Sequence, residues 1–294
     1  MVRTLVLHAG TPKTGTTSLQ IYLDRQREAL MRRGILYPRI DGSARPAKPK
    51  HQWLVNMLLA ADGNALTEKI DQVLGEPDAS IHTVILSTEG LFHHWWDFST
   101  AARAALAALA ERTTLRVFVW FREPVAFVRA NYIQMLKNPR GSLVSCYGRD
   151  VSVDEILEDR WFSRHLDYMG YIRDVEALLG RGTVTPFAYR GDTIAAFLRG
   201  VGVTDMEPAH LSAHRSIGSF GVDVLRGVNR RGLAADCKAD AVALIERLDA
   251  ILGPLSQPLP ISAATARRIR ERAADSVDWL EREFGIAFDV PATE

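Results

Sequence analysis

The sequence predicts an α/β protein in which a central parallel β-sheet is flanked by helices and followed by a helical C-terminal third. Short apolar runs rich in Val, Leu and Ile alternate with helical patterns, which is the order of elements in α/β folds. Three of the five runs are continuous rather than alternating, as in strands buried on both faces of a parallel sheet. The predicted strands are Arg3–His8, Ile35–Tyr37, Thr83–Ser87, Leu115–Phe121 and Thr183–Tyr189.

The helical segments are marked by apolar residues at helical spacing. Between the strands, the predicted helices are Gly15–Arg33, Ala101–Arg112 and Val125–Lys137. In the last third, one apolar stripe consists of Leu244, Ile245, Leu248, Ile251 and Leu252, and a second consists of Ile269, Ala273, Val277, Leu280 and Phe284. We find no internal repeat and expect a single domain over residues 1–294, with its helical C-terminal part at about residues 216–284.

Composition excludes several classes of protein. Hydrophobic residues make up 47% of the 294 residues, too many for a disordered chain, and two cysteines are too few for a disulfide scaffold. With 36 basic and 35 acidic residues, bulk electrostatics do not favour binding to nucleic acid. The N-terminal apolar stretch is too short for a signal peptide and no run of 18 apolar residues occurs, so we expect a cytoplasmic protein without a membrane span. No Cys/His spacing indicates a zinc site.

The sharpest motif is Gly10-Thr-Pro-Lys13-Thr-Gly15-Thr16-Thr17, which follows the first predicted strand and opens the first predicted helix. Backbone N–H groups and the helix dipole make such a helix N-terminus an anion site, and the two glycines let the chain wrap closely round the anion. The motif is P-loop-like, but a Walker A loop has Lys directly after the second Gly. Here Thr16 stands at that position and Lys13 lies inside the loop. A ligand-free Gly/Thr-rich turn is the alternative. His8, just before the loop, is expected to hold it by hydrogen bonds.

The position of the lysine carries a resemblance to a known family. The segment Lys13–Thr17 resembles the 5′-phosphosulfate loop of sulfotransferases, whose donor is 3′-phosphoadenosine 5′-phosphosulfate (PAPS). The longer segment His8–Gln20 is similar to the bacterial branch that modifies carbohydrates or small metabolites. The resemblance implies PAPS as donor, 3′-phosphoadenosine 5′-phosphate (PAP) as product, and no required metal. It also implies donor contacts from the loop residues Pro12, Lys13, Thr14, Gly15, Thr16 and Thr17.

A second donor contact is expected where the fourth strand ends. In the resembled family this strand ends in an Arg that binds the 3′-phosphate, and a Ser follows eight residues later. Arg122 matches the Arg, at a strand end where ligands bind in parallel sheets, and a guanidinium is a bidentate phosphate partner. Ala130 stands in place of the Ser, so the adjacent Asn131 is the candidate donor from this helix. A salt bridge or a capping role is the alternative for Arg122.

Three further residues resemble donor-binding positions of the family. Tyr189 ends the fifth strand and matches the Tyr that contacts adenine, with a half-buried strand-end aromatic as the alternative. Arg215 and Ser216 precede a helix expected near Phe220, where Arg215 would reach the 3′-phosphate and Ser216 would cap the helix. Ser18 stands where many members have a Trp that stacks on adenine, so a stacking partner must come from elsewhere.

Sulfuryl transfer needs stabilisation of charge on the leaving phosphate oxygen and a base for the acceptor hydroxyl. Lys13 is the candidate for the first role. Glu89 follows the third strand and is similar to the family's catalytic carboxylate, for which it would need a raised pKa. His51, which opens a helix, is the rival base. A cap or salt bridge for Glu89 and a structural histidine at His51 stay open as alternatives.

The acceptor site has weaker candidates. His93 and His94 lie in the aromatic run Phe92–Trp96, which suits either a sugar or apolar acceptor or simply the core. Lys48 belongs to a basic loop that either meets an acidic or polyhydroxylated acceptor or is solvated.

Together these motifs predict a sulfotransferase that moves the sulfuryl group of PAPS to a hydroxyl, or an amine, of a carbohydrate or small-metabolite acceptor. Two other classes stay open. One is a nucleotide kinase or NTPase with an aberrant P-loop, against which the position of Lys13 and the lack of an evident Mg²⁺-binding Asp on a strand both count. The other is a non-catalytic nucleotide-binding relative, which the departures at Ala130 and Ser18 favour. The oligomeric state is not predicted.

Overall fold

The computed structural model describes residues 4–11, 14–39, 49–60, 62–75, 79–141, 144–208, 217–253 and 257–289. The chain divides into two compact units. The first, here called the sheet unit, comprises Met1–Arg122, Met169–Ala213 and Glu283–Ala287. The second, the helical unit, comprises Glu123–Tyr168, His214–Arg282 and Phe288–Glu294. That the whole chain forms a single domain stays a prediction.

The sheet unit is built on parallel strands, as predicted. They are β1 (Thr4–His8), β2 (Ile35–Leu36), β3 (Thr83–Ser87), β4 (Thr114–Phe121) and β5 (Val184–Ala188). Their order in the sheet is β2-β3-β1-β4-β5, and every neighbouring pair is parallel. β1 therefore lies between β3 and β4, where the order of strands reverses. The predicted α/β class with a central parallel sheet is confirmed.

The helices of the described chain follow in sequence order. They are α1 (Thr16–Arg25), α2 (Arg27–Met31), α3 (Gln52–Leu59), α4 (Gly63–Gly75), α5 (Gly90–His93), α6 (Thr100–Arg112), α7 (Pro124–Lys137), α8 (Val153–Leu157), α9 (Arg160–Ser163), α10 (Tyr168–Leu179), α11 (Thr193–Gly200), α12 (Ser219–Arg231), α13 (Ala235–Ile251) and α14 (Ala263–Phe284). α1 to α6, α10 and α11 belong to the sheet unit and the others to the helical unit, apart from residues at the ends of α10 and α14. Within the described residues, no helix is long and apolar enough to cross a membrane.

Both faces of the sheet are covered, which explains why its strands appear in the sequence as continuous apolar runs. Leu5 and Val6 are neighbours that point to opposite faces of β1, and both are fully buried. On one face, Val6 and Trp120 share a core cluster with Leu23 of α1 and Phe197 of α11. This packing fixes α1 and α11, the helices that follow β1 and β5, against the sheet.

The first predicted helix is interrupted. α1 ends at Arg25, Gln26 takes φ −96° and ψ 13°, and α2 begins at Arg27. The Gln26 N–H still donates to Tyr22 O at 2.9 Å, so the chain bends without losing that hydrogen bond. Gly34 then adopts a φ of +71°, which favours glycine and stops the helical run before β2.

Two C-terminal helices are confirmed, but neither buries its whole predicted stripe, since Phe284 at the end of α14 is exposed. On α14, Ile269, Ala273 and Leu280 are fully buried. On α13 most of the stripe is not part of the core, because the helix packs through a face on which Ile245 is the buried member of the stripe. That face carries Ile245 and Asp249, whose carboxylate accepts the Gly218 N–H at 3.0 Å. Three large members of the predicted stripe are exposed: Leu244, Leu248 and Ile251.

Candidate active site

The candidate site lies at the carboxyl edge of the sheet, where ligands bind in open parallel sheets. Because the strands are parallel, the residues that follow them meet at this edge. They are the loop after β1, which ends at Gly15, and then Glu89 after β3, Arg122 after β4 and Tyr189 after β5. The start of the loop is bonded to both neighbouring strands. Thr88 N–H donates to His8 O at 3.1 Å, and Ala9 N–H donates to Phe118 O at 2.8 Å. The predicted motif is therefore held at the centre of the sheet edge.

Threonine hydroxyls hold the loop in shape. Thr11 Oγ1 donates to Trp120 O at 2.8 Å, and Thr14 Oγ1 donates to Thr11 O at 2.6 Å. From α11, Thr193 Oγ1 donates to Thr14 O at 2.7 Å. Gly15 then takes a φ of +78°, a conformation that favours glycine, and α1 begins at the next residue. The Thr14 hydroxyl already donates within the loop. The backbone N–H of Thr14 is therefore the group that this residue can offer to an anion.

Gly10 is surrounded by polar atoms. A Cβ at this position would lie 2.4 Å from Thr16 Oγ1, 3.1 Å from His8 Nε2 and 3.2 Å from Thr14 Oγ1. Thr16 Oγ1 and His8 Nε2 are buried and have no hydrogen-bond partner among the described residues. Buried polar atoms are nearly always bonded, so two orphaned groups around one glycine indicate a ligand. Both can donate, and the oxygens of a phosphate or sulfuryl group accept, so the residues fit the group that the sequence implies.

A buried polar chain positions His8. Its Nδ1 lies 2.7 Å from Ser87 Oγ, and Gln20 Nε2 donates to the same hydroxyl at 3.2 Å. The Ser87 hydroxyl can donate to Nδ1, and in that tautomer the imidazole carries its proton on Nε2, the atom that faces Gly10. Burial lowers the pKa of His8 to about 3, so the ring is neutral at physiological pH. The ring hydrogen bond of His8 goes to Ser87 of β3, and Nε2 adds to the polar lining around Gly10, so that His8 holds the loop by hydrogen bonds stays a prediction.

Sequence reasoning missed Gln20, Ser87 and Thr193. Gln20 lies one helical turn after Thr16, and both are buried on α1, so a polar pair at this spacing was the available signal. Ser87 is the polar end of an otherwise apolar strand. Thr193 bonds to a residue 179 positions away, a contact with no local signal in the sequence.

His51 is engaged through both ring nitrogens. Nε2 lies 2.9 Å from Pro38 O, and Nδ1 accepts the Ser87 N–H at 2.9 Å. These bonds require the proton on Nε2. Burial lowers the pKa of the ring to about 4. The geometry is that of a structural histidine that fastens the start of α3 to the end of β3.

Glu89 stands just past β3 and just before α5. It is half-buried, and its carboxylate does not cap the helix, so the capping alternative is not realised. The backbone at the next residue packs tightly against α3, because a Cβ on Gly90 would lie 2.6 Å from Val55 Cγ2. Glu89 lies between Gly90 and Thr88, and the Thr88 N–H donates a hydrogen bond to His8 O of β1. The carboxylate therefore belongs to the same sheet edge as the loop.

Arg122 and Tyr189 lie together beside the loop. Tyr189 N–H donates to Phe121 O at 2.7 Å, which places the ring next to the end of β4. The Arg122 guanidinium carbon lies 5.1 Å from the centre of the Tyr189 ring, a cation–π contact. A Cβ on Gly15 would lie 3.9 Å from Tyr189 Cε2. The structure thus brings two residues predicted for the nucleotide end of the donor to the start of α1.

The structure does not describe all of the predicted site residues. Pro12, Lys13, Lys48, Arg215 and Ser216 fall outside the described residues. Thr17 is exposed on the first turn of α1. Asn131 belongs to the helical unit, where it is fully buried on α7 with both amide atoms lacking a hydrogen-bond partner among the described residues.

The aromatic run before α6 is largely core. Phe92 and Trp95 are buried, and each packs edge-on against Tyr171. His93 is nearly buried and packs against Phe92, whereas His94 is half-buried with Nδ1 3.3 Å from a carboxylate oxygen of Asp97. His94 is therefore the more accessible of the two predicted acceptor-site histidines.

No protein-family model matches the chain. A comparison with curated proteins also finds no significant match. Among solved structures, the chain is similar to a sulfotransferase from Alicyclobacillus acidocaldarius, with 14% identity and a TM-score of 0.44 over 85% of this chain and 97% of that chain. At this level of similarity the likeness says nothing about activity, which has to be inferred from the residues of the site. In the part of the chain that the structure describes, no group of three or more His, Cys, Asp or Glu side chains is placed to hold a metal ion.

Acidification is expected to destabilise the fold through His8 and His51. Their folded pKa values of about 3 and about 4 lie below the ordinary 6.5, so below pH 6.5 the unfolded chain takes up protons that the folded chain does not. The free energy of unfolding should fall by about 1.4 kcal/mol per pH unit for each histidine as the pH drops from about 6.5 towards 4. Urea unfolding at several pH values measures this slope, which His51→Gln should reduce. An unchanged slope in that variant would contradict the neutral, buried state of His51.

Proposed function

We propose that the chain is a sulfotransferase that transfers the sulfuryl group of PAPS to a hydroxyl, or an amine, of a carbohydrate or small-metabolite acceptor. The observation that carries the proposal is the loop between β1 and α1. His8 Nε2 and Thr16 Oγ1 converge on Gly10 without a partner in the described chain, and Lys13 belongs to the same loop. Donors gathered at a helix N-terminus suit an anionic group.

The loop is the proposed site of the 5′-phosphosulfate. PAPS supplies the activated sulfuryl group when it is bound. The side chains of His8 and Thr16 would donate to its oxygens, and Lys13 would lie at the bridging oxygen. The backbone N–H groups of Thr14, Gly15, Thr16 and Thr17 would donate to the same oxygens, whereas Pro12, which has no N–H, would contact the donor only through its ring.

Arg122 and Tyr189 are the proposed contacts for the 3′-phosphate and the adenine. Their mutual contact holds the guanidinium at the edge of the sheet, beside the loop that would bind the other end of the nucleotide. Asn131, Arg215 and Ser216 stay predictions from the sequence as further donor contacts.

Glu89, rather than His51, is the proposed general base. Both nitrogens of His51 are already bonded, to Pro38 and Ser87, whereas Glu89 follows β3 at the sheet edge. The Glu89 carboxylate would accept the proton of the acceptor hydroxyl as that oxygen forms its bond to sulfur. Lys13 would balance the charge that develops on the leaving phosphate oxygen as its bond to sulfur breaks.

The acceptor is proposed to lie between Glu89 and the segment that follows α5. His93 and His94 are the candidate contacts there, His94 being the more accessible. Lys48 stays a candidate for a polyhydroxylated or acidic acceptor on the evidence of the sequence alone.

A non-catalytic nucleotide-binding protein is the second candidate function. Ala130 is the specific observation in its favour, because an alanine cannot donate the hydrogen bond of the serine that the family places there. Such a protein would bind PAP and transfer nothing. A kinase is disfavoured, because Thr16 stands where a Walker loop has its lysine.

Thermal unfolding with PAP, AMP or Mg-ATP tests the proposed donor. A ligand at 100 times its Kd stabilises the folded state by about 2.7 kcal/mol, so PAP should raise Tm by a few degrees without magnesium. Arg122→Ala should weaken PAPS binding by about ten- to hundredfold and adenosine 5′-phosphosulfate binding much less, because only PAPS has the 3′-phosphate.

Arg112→Ala is the matched control, since Arg112 is an exposed arginine paired with Asp71 on the surface. It should leave both affinities unchanged. Stabilisation by Mg-ATP alone would turn the assignment towards a kinase. Equal losses for both sulfated nucleotides in Arg122→Ala would remove that residue from the 3′-phosphate site.

A further inference from the structure

Helix α13 has two apolar faces. One faces the helical unit and buries Ile245. The other points to solvent, with Leu244 exposed by 59%, Leu248 by 40% and Ile251 by 77%. A helix that serves only its own core needs one apolar face, so the second is unexplained by the fold of this unit.

The outer face has the spacing of a coiled-coil seam. Cys237, Ala241, Leu244, Leu248 and Ile251 follow one another at intervals of four, three, four and three residues. The cysteine is exposed and not disulfide-bonded. We call these five residues the seam. It is about 21 Å long at the helical rise, from the first residue to the last.

Polar contacts hold the opposite face inward. Glu246 receives a hydrogen bond from Lys137 Nζ at 2.8 Å, and Asp249 accepts the Gly218 N–H. Lys238 is buried and donates to Asn138 O at 2.5 Å. Because these bonds fix the rotation of α13 in the helical unit, the seam cannot turn into the core without breaking them.

The charges that flank the seam indicate which partner covers it. Asp240 and Arg247 are both exposed and lie on the same flank, seven residues apart. When two such helices pair antiparallel, the same flank of each helix faces the other, and the two chains run in opposite directions. Asp240 of each copy therefore meets Arg247 of the other. When they pair parallel, this flank faces the side that carries Lys238, Ile245 and Leu252, which holds no acidic partner for Arg247. Such flanking charges set the orientation of coiled coils.

We propose that α13 pairs antiparallel with α13 of a second copy of this chain through the seam. The pairing is isologous, with a two-fold axis near Leu244 and two Asp240–Arg247 ion pairs related by it. On α12, Phe220 and Val224 are also exposed and add apolar surface to the same unit. An interface built mainly on one helix from each copy is small, so the dimer forms in a concentration-dependent equilibrium.

Sedimentation velocity of the full chain over about a hundredfold range of concentration tests the pairing. The expected result is a shift from monomer to dimer as concentration rises. Leu248→Glu places a charge in the seam and should weaken the dimer by at least about tenfold. Ala239→Glu adds the same charge to an exposed position off the seam and should leave it unchanged. A monomer at every concentration, or a dimer unaffected by Leu248→Glu, overturns the proposal.

Charge exchange tests the orientation independently of folding effects at Leu248. Asp240→Arg or Arg247→Asp alone brings like charges together and should weaken the dimer by about two- to fivefold per pair. The double variant should recover it, and an equimolar mixture of the two single variants should form mixed dimers.

Cysteine cross-linking is a second test of the orientation, in which the absence of a product is the expected result. In the antiparallel pair the two Cys237 residues lie about 20 Å apart, far beyond the reach of a disulfide. Efficient Cys237 disulfide formation under mild oxidation would indicate parallel pairing and overturn the antiparallel proposal, as would failure of the double variant to recover the dimer.

Discussion

Glu89→Gln is expected to lower the rate of sulfuryl transfer by about 10²–10⁴-fold while PAP binding stays unchanged. Glutamine has almost the shape of glutamate but cannot accept a proton from the acceptor hydroxyl. The measurement is transfer from radiolabelled PAPS to an acceptor found by screening sugars and small hydroxyl compounds, together with a PAP binding curve for each variant. Loss of turnover with retained binding separates a catalytic role from damage to the fold.

Two controls accompany this variant. Glu68→Gln makes the same change at an exposed carboxylate on α4 and should leave activity intact. His51→Gln removes bonds to Pro38 and Ser87, so it should lower Tm, with activity falling only as far as the folded fraction does. Full activity in Glu89→Gln would end its assignment as the base. Loss of turnover in a fully folded His51→Gln would return the role to the histidine.

Gly10→Ala is expected to abolish binding of PAP and PAPS. The added methyl group would lie 2.4 Å from Thr16 Oγ1 and 3.1 Å from His8 Nε2, so it would fill the space between the two donors proposed for the ligand. Either the loop moves or the donors are displaced, and both results remove the anion site. Calorimetric titration with PAP measures the effect, which should exceed about a hundredfold because several charge-assisted hydrogen bonds are lost together.

Gly75→Ala is the matched control for this substitution. A Cβ at Gly75, at the end of α4, meets no atom of the described residues within 4 Å, and its φ lies outside the region that favours glycine. This variant should bind PAP as the unchanged chain does, with equal or slightly higher stability. Retained affinity in Gly10→Ala would show that the cradle round Gly10 does not hold the donor.

The fold was predictable because its signals are local. Continuous apolar runs marked β1, β3 and β4 as strands covered on both faces, and the order of strands and helices implied a parallel sheet. β2 is only two residues long, yet its apolar residues between two helices were enough to place it. The break between α1 and α2 was not visible, since Gln26 is neither glycine nor proline and nothing in its neighbourhood interrupts the helical pattern.

The site was predictable only as far as its motif is contiguous. The loop from Gly10 to Thr17, and the strand-end positions of Glu89, Arg122 and Tyr189, follow from a motif and from strand boundaries. The links between His8, Ser87 and Gln20 join three elements, and no spacing rule predicts them. His51 shows the limit of an inference from position alone. Its position at a helix start suggested a rival base, but only its two backbone partners showed that the ring is bonded on both sides.

The sequence by itself determined the class of fold, the strands, and the position of a loop rich in glycine and threonine after β1, because apolar patterning and glycine spacing act over neighbouring residues. Only the tertiary structure decided which polar atoms around Gly10 have no partner among the described residues, and that both ring nitrogens of His51 are bonded. It also decided which face of α13 meets solvent, since the same apolar stripe could have been turned inward. These outcomes depend on contacts between residues far apart in the chain, where burial and hydrogen-bond geometry, rather than local pattern, set the free energy.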